Sequence, residues 1–131
     1  MAAEYPGKLE RNMRKLVGVL NRFPGIRIYA SSGGHTKLSG RTNPAPKGEF
    51  YVGFVMPQND PDGVVENNLS ILRDAIRVYN GKVALENNFE TGDFNIVNGW
   101  CPWSIMGKGV IPDDLADSIA CYEDKVRRDK I

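Results

Sequence analysis

The segment EFYVGFVM, residues Glu49 to Met56, is apolar on both of its alternating faces. Phe50, Val52, Phe54 and Met56 share one face; Tyr51, Gly53 and Val55 share the other. A strand with two apolar faces must be covered on both, so this one is predicted to be central in its sheet. The remaining elements have to supply its neighbours and its cover.

A helix is predicted from about Lys8 to Arg22, where Leu9, Met13, Leu16, Val17 and Leu20 recur at helical spacing. Lys8, Arg11, Arg14, Lys15 and Arg22 fall mostly on its other side, a solvated basic face. Phe23-Pro24-Gly25 ends it. Ile26, Ile28 and Ala30 then alternate with Arg27 and Tyr29 as a first strand. After Glu49 to Met56, a turn over Pro57 to Gly63 leads into a second helix. Val65, Leu69, Leu72, Ile76 and Tyr79 form its stripe, and Asn80-Gly81 stops it. Lys82 to Phe89 and Asp93 to Trp100 read as two strands joined by Glu90-Thr91-Gly92, with Cys101 to Gly109 as a loop. Pro112, Asp113 and Asp114 open a last helix striped by Leu115, Ile119, Tyr122 and Val126. The expected fold is α+β, in the order α-β-β-α-β-β-α. Its four-stranded, mostly antiparallel sheet carries helices on one face. The other face still presents apolar surface, and a homodimer or higher homo-oligomer would cover it.

At 131 residues the chain fits one domain, 1–131, with 1–7 flexible and 36–48 a long loop or lid. Lys plus Arg number 17 against 16 Asp plus Glu. So balanced a charge argues against bulk binding of duplex nucleic acid. No signal-like run and no stretch of about 18 apolar residues occurs, so no membrane partner is expected. Cys101 and Cys121 form no CxxC and read as free thiols in a reducing cytoplasm. One histidine and two distant cysteines make a poor metal-ligand set, and no metal site is expected.

The candidate site is Ser31-Ser32-Gly33-Gly34-His35, directly after the first strand. Two glycines let consecutive backbone N–H groups converge on an anion, and the serine hydroxyls add donors. His35, the only histidine, can donate a hydrogen bond or exchange a proton near neutral pH. Lys37 and Arg41 follow in the long segment and can clamp negative charge. Neither phosphate fingerprint, GxGxxG or GxxxxGK[ST], is present. The same residues also suit an ordinary flexible loop. A second cluster holds Asn98, Trp100 and Trp103, where the tryptophans can stack on a base or plug the core, and Asn98 can read a base edge. Asp60 to Gly63 and Asp113-Asp114 are better explained as helix starts than as paired catalytic carboxylates.

Asn21-Arg22-Phe23-Pro24, the strand Ile26 to Ala30 and then Ser31-Ser32-Gly33-Gly34-His35 resemble the opening of the wybutosine-synthesising tRNA methyltransferase family. In that family a Ser-Ser-Cys-Ser-Gly-Arg motif follows the strand. Gly33 stands here at the motif's cysteine and His35 at its arginine. The later order of strand, helix, two strands and helix is similar too. The resemblance implies a site near Ser31 to His35, and S-adenosylmethionine as the family's cofactor. Three functions follow as expectations. The first is a binding module without a recognisable catalytic set that holds or sequesters a nucleotide or other small anionic ligand, with no cofactor identified and enzyme activity left open. The second is a protein-interaction or inhibitor domain without a small ligand. The third is an RNA-modifying enzyme of the S-adenosylmethionine-dependent type.

Overall fold

The computed structural model describes residues 11–33, 48–87 and 99–129, the last helix's side chains as far as Val126. A single 3-10 turn, Arg11–Met13, leads into α1, Arg14–Asn21. There follow β1 (Arg27–Ser32), β2 (Glu49–Pro57), α2 (Val64–Arg77), β3 (Val83–Asn87), β4 (Trp100–Lys108) and α3 (Pro112–Asp129). The strands form one antiparallel sheet in the order β1-β2-β4-β3. This is the expected α+β fold and order of elements, and β2 is central.

Residues paired directly across a ladder share a face. Phe50, Val52, Phe54 and Met56 of β2 therefore lie on one face with Ile28, Trp103 and Ile105. The core forms there, against Met13, Leu16 and Leu20 near the N-terminus, Leu69 and Leu72 of α2, and Leu115 and Ile119 of α3. α3 packs on both α1 and α2. Arg22 of the α1 C-cap donates to the Glu123 carboxylate at 2.9 Å, and Lys15 pairs with Asp117. Two of the cations read as a solvated basic face thus hold α3. The buried amide of Asn68 donates to the Pro24 carbonyl at 2.8 Å, fixing α2 to the turn before β1.

Three expectations need correction. The segment Cys101 to Gly109 is mostly strand, not loop: β4 spans Trp100–Lys108. Val83 pairs with Gly107, whereas a hairpin closed at residues 90–92 would set it opposite Gly99. The strand expected over Asp93 to Trp100 lies outside the described residues except for Gly99 and Trp100. Pro102 is what hides β4 in the sequence, because proline removes a ladder donor. The register shows why it is tolerated. Gln58 N–H donates to the Gly99 carbonyl, and Lys108 N–H to the Lys82 carbonyl. By alternation Pro102 is a non-bonded position toward β2. Its nitrogen faces the β3 side, beyond the last described pair, Asn87 with Trp103.

Second, β1 continues through Ser32 and is bulged between Ile28 and Ala30. Ile28 is opposite Phe54 but Ala30 is opposite Gly53, so the two no longer share a face. Third, α2 ends at Arg77, ahead of the Asn80-Gly81 stop. Both turn residues have positive φ (52° and 88°), and Tyr79 packs on the core from the turn.

Candidate functional site

The end of β1 carries the first nominated residues. Ser31 pairs with Val52 and faces the helices; Ser32 pairs with Tyr51 and faces away. Their exposures are 4% and 1%, and both are engaged in other interactions. They are strand residues, inside the sheet rather than in a loop after it. Gly33 closes the strand. Asn12, in the 3-10 turn, donates from its side-chain amide to the Gly33 carbonyl at 3.0 Å. A Cβ on Gly33 would run into that amide, which would have to swing away and give up the bond. Gly34, His35, Lys37, Arg41 and Asn98 lie outside the described residues.

The two tryptophans do not form one platform. Trp103 pairs with Phe54, faces the helices and packs against the core cluster. Trp100 pairs with Pro57 and faces the other way. It is also remote from Ser32. The distance from Tyr51, the partner of Ser32, to Pro57, the partner of Trp100, is about 20 Å at ~3.3 Å per residue. No single mononucleotide reaches from one to the other.

Trp100 has a different companion. The Arg27 guanidinium lies over its ring, 4.6 Å from the centroid. Arg27 comes from β1 opposite Val55, so the pair flanks β2 at its Val55–Pro57 end, on the face that no helix among the described residues covers, the helix-free face. Beside it the bulge residue Tyr29 lies against Gly53. A Cβ there would fall 2.7 Å from Tyr29 Cζ, so the ring occupies the space a side chain would take. Tyr51 is next along the same face. Ser32, Gly53, Val55, Pro102 and Ser104 are buried, while Tyr29, Tyr51 and Trp100 are half-buried. The face is thus a floor of small side chains with aromatic rings standing over it. Met106 adds an apolar side chain that is 42% exposed.

Sequence reasoning missed Arg27, Tyr29 and Tyr51. One signal was available: Gly53 interrupts an otherwise bulky central strand, and such a glycine often marks the close approach of another group.

The electrostatics elsewhere are structural. Asp60 accepts from the backbone N–H of Val65 and Glu66 at 2.9 and 3.0 Å, capping α2 where Gly63 turns with φ of 71°. Those bonds, the one from Glu66 foremost, hold its carboxyl below the ordinary value of 3.8. Burial, with help from Asp114 and Asp117, raises the Tyr79 hydroxyl. Among the described residues no group of three His, Cys, Asp or Glu is placed to hold a metal ion, and no helix is long and apolar enough to cross a membrane. Cys101 and Cys121 are free. Comparison with family models, with curated proteins and with solved structures finds no match.

Proposed function

We propose that this chain is a small binding module for a nucleotide, held on the helix-free face of the sheet. The observation that supports it is the Arg27–Trp100 pair. A planar cation and an indole lie 4.6 Å apart on a face that no described helix covers. Arg27 has no ion-pair partner among the described residues, so its guanidinium donors are free for phosphate. The indole offers a stacking surface that any base can use. The Gly-rich segment beyond Gly33, with His35, Lys37 and Arg41, would add anion contacts. Two free thiols suit a reducing cytoplasm.

A thermal-shift screen with nucleoside mono- and triphosphates is the test. The expected result is stabilisation by millimolar nucleotide, lost in Arg27→Gln and Trp100→Ala. If no nucleotide moves the melting curve, this reading fails. A second reading, favoured by exposed Met106 on the same face, is a homodimer packed sheet on sheet. Light scattering that shows a dimer abolished by Met106→Glu would select it.

A further inference from the structure

We infer that β3 is a dimerisation edge: it pairs antiparallel with β3 of a second copy about a two-fold axis at Ala84, joining two sheets into one. This goes beyond the nucleotide reading and uses the edge of the sheet, not its face. The outer strands of the sheet are β1 and β3. Native edges are commonly protected against further pairing, and a bulge is one protection. β1 has one, between Ile28 and Ala30. β3 instead keeps an unbroken register with β4 from Val83 to Asn87. Lys82 accepts from the Lys108 N–H at 2.9 Å, so by alternation Ala84 and Glu86 also bond toward β4. The N–H and C=O groups of Val83 and Leu85 therefore point outward, and no described strand meets them.

The side chains specify the partner. Lys82 and Glu86 are exposed and have no ion-pair partner among the described residues. At ~3.3 Å per residue of strand they stand about 13 Å apart, too far to pair with each other. Lys82 also lies opposite another cation. The register continues from Val83–Gly107 to Lys82–Lys108, and Lys108 is opposite Glu49 on β2. That row across the sheet reads acid, base, base, and its outer side is open to an acid. A second β3 centred on Ala84 supplies one. Lys82 falls opposite Glu86 of the second copy and Glu86 opposite its Lys82, the self-complementary pattern of a two-fold interface. Moving the axis to Lys82 or Glu86 would oppose like charges instead.

The same register sets Val83 opposite Leu85 of the second copy, and their outward groups exchange backbone hydrogen bonds. Ala84 meets Ala84 at a non-bonded position, where strands bring side chains closest and a small residue fits. Met106 pairs with Ala84 from β4 on that face and is 42% exposed. At ~4.8 Å per strand, the Met106 residues of the two copies stand about 14 Å apart, flanking the alanines. Each can fold its apolar side chain over the alanine beside it.

The test is sedimentation velocity of the full chain from micromolar to millimolar concentration. A monomer–dimer equilibrium is expected, weakened by salt. Lys82→Glu or Glu86→Lys alone opposes like charges and raises the dissociation constant at least tenfold, while far-UV circular dichroism and the monomer's melting curve stay those of the parent. Lys82→Glu and Glu86→Lys in one chain restore the dimer, because the ion pairs re-form with their signs exchanged. Mixing the two single variants gives a heterodimer for the same reason. Amide hydrogen exchange reads the edge itself. Protection of Val83 and Leu85 rises with protein concentration, and that of Ala84, already bonded to β4, does not.

A chain that stays monomeric over the whole range overturns the inference. So does a dimer that neither charge reversal weakens; if Met106→Glu dissociates it, the sheet-on-sheet arrangement takes its place. Failure of both the double variant and the mixture to associate overturns it as well, since the single losses then came from something other than the proposed pairs.

Discussion

On the helix-covered face of the sheet, Phe50, Val52, Phe54, Met56 and Ile105 are exposed by no more than 2%. On the helix-free face the central positions of β2 are Tyr51, Gly53 and Val55, and the neighbouring strands add Tyr29, Trp100, Pro102 and Ser104. The first face puts its bulk at the centre, where three helices close over it. The second puts glycine, proline and serine at the centre and stands its large rings above them. A strand apolar on both sides thus meets two demands with different chemistry. One side is packed to hold the fold; the other has a buried floor of small side chains under half-buried rings.

Substitutions sort by face. Phe54→Ala has the largest expected effect. It removes a fully buried ring among residues that three helices hold in place, and should cost about 3–5 kcal/mol in chemical denaturation. Gly53→Ala sits beside it in the chain but acts through the other face. The new methyl meets the Tyr29 ring, which must lift or tilt, and overpacking of this kind costs about 1–3 kcal/mol. The informative control is Gly53→Ala with Tyr29→Ala. Removing the ring makes room for the methyl, so the double variant should lose less than the two singles added together. Additive losses would mean that Gly53 is required for some reason other than the ring.

The covered face was readable in the sequence because its signal is local. The alternation in Phe50 to Met56 identifies β2 as central, and the stripes of α2 and α3 point to the same core. β4 was hidden by Pro102 and by the glycines around Lys108, which mimic a loop. The inward alternation of Cys101, Trp103 and Ile105 is too short a signal to outweigh them. The helix-free face was least readable. Arg27 and Trp100 are far apart in the chain, and they meet only because β4 follows β2 in the sheet and a bulge resets β1. No window of sequence contains that information. Ser31 and Ser32, expected in a loop after the strand, lie within it, and whether they turn in or out depends on the same bulge.

The stability of the entry to α2 depends on pH. Asp60 accepts the N–H groups of Glu66 and Val65, one on each oxygen, most strongly as a carboxylate, so its folded pKa lies below 3.8. A group with a depressed folded pKa contributes stability above its unfolded value and loses it as pH falls through the folded one. The melting temperature of Asp60→Ala should therefore lie below that of the parent at pH 7. The gap should close as the pH falls below about 3.8. A gap that persists at pH 2 would show that Asp60 acts by packing instead of by capping.

The smallest expected effect is the one that bears most on function. Arg27→Gln removes an exposed cation from a half-buried ring, a contact worth about 0.5–1 kcal/mol. Arg27 is exposed and lies on the face away from the core, so the melting curve should be almost unchanged. If Arg27 were a structural clamp for Trp100, the loss would be several times larger, and the tryptophan fluorescence would shift as its ring became more exposed. A near-silent change in stability with a clear change in nucleotide binding would separate the two faces by role. The arginine would then be held on the indole for the sake of what binds there, with little consequence for the fold beneath it.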